Sequence, residues 1–176
     1  MDRENMAGNI RKHAKKLFRV LAYILVLAAD IYLLMFSVSL IIVNDYDLIE
    51  YRSGGFGRII NSVTIDLQSG SGHIKYRPFM SDEIILDTDI DVSLETLDKL
   101  KLRMAFSLAP FWSSEYVNPN IMDGTQWHFY FYRGDDQDSP KRVYGSNAYP
   151  IGFSGIKSLL HDLRDQALQD SQVLRE

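Results

Sequence analysis

A chain of 176 residues, 46% of them apolar and 24% charged, has room for one small globular domain beside any membrane segment. It contains no cysteine, which excludes disulfides, lipid-modified cysteine, thiolate metal sites and a thiol nucleophile. The first 19 residues carry +4 and the remainder −8, together the net −4, and an acidic body without a basic block excludes nucleic acid as a partner because phosphate backbones demand clustered Lys and Arg.

Residues 1–19 form a short basic segment, with Arg11, Lys12, Lys15, Lys16 and Arg19 just ahead of an apolar run. Residues 20–43 then hold a single charged residue, Asp30, in 24 positions. As a helix this run is about 36 Å long, enough to cross a hydrocarbon layer of about 30 Å with some tilt. Fifteen of its positions are Leu, Ile, Val or Phe. Together they favour insertion by about 5–9 kcal/mol, against about 2.5–3.5 kcal/mol for Asp30, so a transmembrane helix is expected. Ser37 and Ser39 resemble the small residues of a signal-peptidase site. The run is nevertheless longer than a signal-peptide core of about 7–15 residues and continues through Leu40 to Val43. The cationic side before the helix places the N-terminus in the cytoplasm and residues 44–170 outside the cell membrane. A carboxylate within a bilayer is a candidate for contact with a partner helix, and Asp30 is named as such.

In the outer domain, residues 48–51 read as a short strand ended by Ser53, Gly54 and Gly55. Residues 59–67 and 73–76 read as a hairpin around Gly70 and Gly72, and residues 83–90 as a further strand. Asp91 or Ser93 caps an amphipathic helix carrying Leu94, Leu97, Leu100 and Met104 on one face. Residues 109–124 read as loop. Residues 126–132 (QWHFYFY) and 141–145 form the next strand pair around a charged loop at 134–140. Phe153, Ile156, Leu159, Leu160 and Leu163 define a second amphipathic helix, beyond which the chain is expected to fray. The order β-β-β-β-α-β-β-α specifies an α+β domain with an antiparallel sheet and two packed helices.

The usual signatures of chemistry are missing. The four histidines, His13, His73, His128 and His161, stand in four separate elements, none at a metal-ligand spacing. The sequence GFSGI around Ser154 is one position short of a nucleophile elbow, and no glycine-rich stretch matches a phosphate loop. No cofactor is called for. Asp87, Asp89 and Asp91 project from one face of a strand, which suits either a solvated edge or a calcium ion. Alternate aromatics of residues 127–132 belong to the core; the others, either Trp127 and Phe129 or His128, Tyr130 and Tyr132, offer an exposed patch to a partner.

Two signatures coincide beyond this. Tyr51, Ser53, Gly54, Gly55 and Phe56 resemble the first-strand GGF motif of emfourin, an inhibitor of thermolysin-type metallopeptidases. Asp123, Gly124 and Trp127, followed by Gly145, Ser146, Asn147, Tyr149, Pro150 and Phe153, resemble a bacterial domain with the order DGxxW, GSNxYP, F. The likeness spans about residues 46–165. It implies a bacterial source, a GGF strand, an amphipathic helix, a DG-led hairpin and a terminal helix. Such residues act as turn punctuation, or else Asp123, Trp127, Asn147 and Tyr149 converge at one end of the sheet as a ligand or peptide site. The expected role is a non-enzymatic, membrane-anchored binding module of unknown ligand, either for an envelope protein or as a tethered protease-inhibitor-like module. The alternatives are an accessory subunit joined to a membrane complex through Asp30 and, less favoured, an enzyme.

Overall fold

The computed structural model describes residues 3–55, 58–78, 81–121, 124–134 and 139–173. The chain forms two compact units, Met1–Val38 and Ser39–Glu176.

The first unit is a single helix, the greater part of α1 (Arg3–Asn44). Helix starts at Arg3, so the basic segment is helical as well. Its Lys, Arg, Ala and Leu are good helix formers and no proline interrupts them. Within α1, His13–Asn44 is long and apolar enough to cross a membrane. Leu21, Leu25, Leu33 and Leu34 are at least half exposed along it. Asp30 is exposed among them.

The second unit opens with residues 39–44 and carries seven strands: β1 (Leu48–Gly55), β2 (Arg58–Asp66), β3 (Ser71–Tyr76), β4 (Leu86–Asp91), β5 (Glu115–Val117), β6 (Thr125–Tyr132) and β7 (Lys141–Ser146). Helices α2 (Leu94–Phe106) and α3 (Phe153–Val173) complete it. The strands make one sheet in the order β4-β3-β2-β1-β6-β7-β5. Every neighbouring pair is antiparallel except β5 with β7. The domain is therefore α+β, as its strand and helix order required.

Strand alternation divides the sheet into two faces. Ile49, Tyr51, Val63, Ile65, Ile74, Trp127, Phe129, Phe131 and Val143 point inward and are buried. Leu97, Leu100 and Met104 of α2 and Phe153, Ile156 and Leu160 of α3 complete this core. Each large side chain buried there contributes roughly 1.5–3 kcal/mol. The rings interlock: Trp127 lies 4.3 Å from Phe153, and Phe129 lies 4.7 Å from Phe131. Ser93 caps α2 by accepting the Thr96 N–H. Leu94, expected on the buried face of α2, stands 74% exposed because it occupies the first turn, beyond the edge of the core.

Four element boundaries differ from expectation. β1 runs through Gly54 and Gly55 instead of ending before them. The strand passes a bulge there, and a Cβ on Gly54 would lie 1.7 Å from the Arg58 carbonyl oxygen, so glycine permits the close pairing. β4 starts at Leu86 rather than residue 83. The expected loop at 109–124 contains a 3-10 turn at Ala109–Phe111 and the edge strand β5. Three residues of β5 are too few to show a period. Helix α3 persists to Val173, where fraying was expected, with Ala167 still buried in its later turns.

Candidate functional site

The motif residues gather where β6 and β7 meet the start of α3. Trp127 is fully buried and donates its indole N–H to the Ala148 carbonyl at 3.0 Å. Tyr116 and Tyr149 stack on it at 6.2 and 6.0 Å. Gly145 sits against the indole so closely that a Cβ would lie 2.1 Å from Trp127 Cε2. Asn147 adopts φ 53°, a left-handed conformation that Asn tolerates. Its Oδ1 accepts the Thr125 N–H at 3.0 Å, and its own N–H reaches the Thr125 carbonyl. Gly124 lies against the same side chain. Trp127, Asn147 and Tyr149 thus do converge, while Asp123 lies outside the described residues, as do Phe56 of the GGF motif and most of the charged 134–140 loop. Tyr149 is the member facing water, at 45% exposure, with Lys157 Nζ 5.7 Å from its ring centroid. In this cluster Trp127 and Asn147 act as fasteners between β6, β7 and the entry to α3.

The other face of the sheet is open. Register places Glu50, Arg52, Ser62, His73, Lys75, His128, Tyr130 and Tyr144 on it. Of the two alternatives for residues 127–132, His128, Tyr130 and Tyr132 are therefore the outward set, because Trp127, Phe129 and Phe131 take the core. Their rings form a ladder: His128 to Tyr130 at 6.1 Å, Tyr130 to Tyr132 at 6.4 Å and His128 to Tyr144 at 5.0 Å. All four rings are half-buried.

Charge is organised around one carboxylate beneath the ladder. Glu50 is 9% exposed and accepts from Arg52 Nε at 2.5 Å and from the Tyr132 hydroxyl at 3.2 Å. The guanidinium of Arg52 lies 5.2 Å from the centre of the Tyr130 ring. Its hydrogen bond to Glu50 pushes the Arg52 pKa up. Burial pushes the Tyr132 phenol up, with the Glu50 charge adding to it. Burial and the Arg52 charge hold the His128 imidazole below its usual range, so it is neutral at pH 7. A tyrosine ladder around a neutral imidazole and an oriented guanidinium can recognise a protein surface, since Tyr brings a large contact area at low cost in side-chain entropy and Arg a planar fork of donors already held by Glu50.

Asp87, Asp89 and Asp91 do share this face, at the β4 edge. His73 lies between the first two, with Nε2 2.9 Å from Asp87 and Nδ1 2.9 Å from Asp89, and Lys75 also reaches Asp87. The Lys75 hydrogen bond, with His73 adding to it, holds the Asp87 carboxyl below the usual range. Asp87 is thus held by Lys75 and His73 and Asp89 by His73, and no group of side chains among the described residues is arranged to hold a metal ion.

Comparison with protein-family models and with curated proteins yields no match. The fold and the site define a small α+β domain with an open aromatic sheet face, preceded by an apolar helix. The open face was legible only in part. QWHFYFY announces the ring ladder, but Glu50, Arg52 and Tyr144 join it through strand register, and nothing in the linear order pairs residue 52 with residue 128.

Proposed function

We propose that the chain is a single-pass membrane protein whose outer domain is a non-enzymatic binding module for another protein. The Tyr130, Tyr132, Tyr144 and His128 ladder, with Arg52 held across it, is the observation that carries this reading. Four ring-bearing residues left partly exposed side by side on one sheet face represent apolar area that a partner surface would cover. The basic residues ahead of the apolar helix support a cytoplasmic N-terminus and an outer C-terminal domain. Asp30, exposed among leucines, supports a second contact, with a helix of the same complex. The emfourin resemblance adds a candidate class of partner, a thermolysin-type metallopeptidase.

A photo-crosslinking residue at Tyr130 in intact membranes should trap one discrete protein adduct, whereas the same residue at Lys101 on α2 should not. Adding Tyr144→Ser to the Tyr130 probe should weaken the adduct. Equal adducts from both positions would remove the open face from consideration. Purified full-length chain should also slow a thermolysin-type peptidase if that class is the partner. Unchanged hydrolysis would discard the inhibitor reading and leave the binding face to the crosslinking result.

A further inference from the structure

The open face carries a second feature beside the tyrosine ladder. A cleft of about 520 Å³ lies over β1, β2 and β3, lined by Arg52, Arg58, Lys75, Arg77, Glu50 and Ser62. Four cations thus face one carboxylate in a domain that is acidic overall. Arg52, Arg58 and Lys75 stand on the consecutive strands β1, β2 and β3, with Arg77 just beyond, and their spacing along residues 52–77 is why no basic block is visible in the linear order. The lone carboxylate is already committed, since Glu50 is bound by Arg52 and Tyr132.

The carboxylates around the rim hold the other cations loosely. Arg58 meets Asp82 at 2.9 Å, with the side chains 58% and 87% exposed, a pairing of little net worth in water. Lys75 shares Asp87 with His73. Arg77 differs, because its Nε is buried and has no hydrogen-bond partner among the described residues. An unpaired buried donor is costly, so an acceptor in the cleft that Arg77 lines gains by satisfying it once the side chain turns toward it. Ile59, Ile60 and Ile84 supply an apolar flank to the same cleft.

We propose that this cleft binds a small phosphate-bearing ligand, its phosphate held by Arg52, Arg77 and Lys75 and its body laid against the isoleucines. Guanidinium forks match phosphate oxygens two at a time, a geometry that chloride cannot exploit. The volume falls within the usual range for small-molecule sites, about 300–1,000 Å³. A soluble phosphoester and an anionic lipid headgroup share the required chemistry.

The test uses the full-length chain in phosphatidylcholine nanodiscs, titrated with pyrophosphate by calorimetry. One saturable site per chain is expected, with Kd below about 1 mM. Arg77→Gln and Lys75→Gln should each weaken it by about tenfold, and Arg77→Lys less, because charge remains while the fork is lost. Arg142→Gln, on the same face but on β7, should leave it unchanged. Lys75 is half-exposed, so its variant should unfold at the wild-type temperature and report on binding alone. No saturation by about 10 mM, or equal weakening by Arg142→Gln, would overturn the proposal, since either result describes diffuse attraction rather than a site. With the site present, repeating the titration in phosphatidylglycerol nanodiscs identifies the source. Competition there assigns the cleft to a lipid headgroup, and an unchanged Kd assigns it to a soluble phosphoester.

Discussion

At the scale of single residues, the tightest constraint is the contact between Gly145 and Trp127. Gly145→Ala drives a methyl group into a buried indole that Phe153, Tyr116 and Tyr149 already enclose, so nothing nearby can yield cheaply. A loss of about 1–3 kcal/mol is expected in chemical denaturation followed by near-ultraviolet circular dichroism. Asn147 makes a graded case. Asn147→Gly keeps the left-handed conformation and loses the bond to Thr125, whereas Asn147→Ala loses both. The alanine variant should therefore be the less stable by roughly 1 kcal/mol. Equal losses would mean that the backbone conformation carries no cost. These fasteners were legible because turn chemistry is local: a DG pair, a GSN run and a proline announce themselves in order. Arg77 was not. Its significance depends on lying beside Arg52 and Lys75, and that proximity exists only once β1, β2 and β3 have chosen their register.

At the scale of elements, α2 and α3 show how an apolar period is read and misread. The spacing of Leu97, Leu100 and Met104 located α2 on the core, but the same period wrongly included Leu94, one turn too early. Ser93 fixes where the helix begins, and Ser93→Ala should cost about 1 kcal/mol, measured as a lowered denaturation midpoint. Helix α3 carries a titratable group into the core side. Burial, with Arg164 and Lys157 nearby, depresses the His161 pKa below 6.5, and its Nε2 is buried without a hydrogen-bond partner among the described residues. The unfolded chain therefore binds a proton that the folded one resists. Stability from this group is complete above about pH 6.5 and declines as pH falls through the depressed native value. His128, depressed for the same reason, adds to that slope. His161→Leu should flatten the acid limb of a plot of unfolding free energy against pH between about 7 and 5. An unaltered slope would show that His161 titrates alike in both states. Short β5 escaped detection altogether, because a three-residue parallel strand is held by β7 and not by any pattern of its own.

At the scale of the whole molecule, the proposed location rests on the apolar helix. His13–Asn44 meets the length and composition of a span, and on that reading the full chain should resist carbonate extraction. Protease added to spheroplasts should then remove the C-terminal domain and spare a fragment containing residues 3–38. A chain released by carbonate would end the anchored reading. Asp30→Leu should leave membrane retention intact while removing any co-purifying helix partner, since the substitution lowers the insertion cost and deletes the polar contact. Unaltered co-purification would place that contact elsewhere.

The two rims of the sheet are finished differently, and this matters for any protein confined to a surface. On one side, short β5 leaves little backbone exposed for templating. On the other, β4 displays Asp87, Asp89 and Asp91 in a row. Two copies meeting rim to rim about a twofold axis would set carboxylate against carboxylate at successive positions. Neighbours crowded in two dimensions would thus repel before their strands could join into ribbons. Neutralising the row with asparagine should convert dispersed molecules into strand-linked clusters.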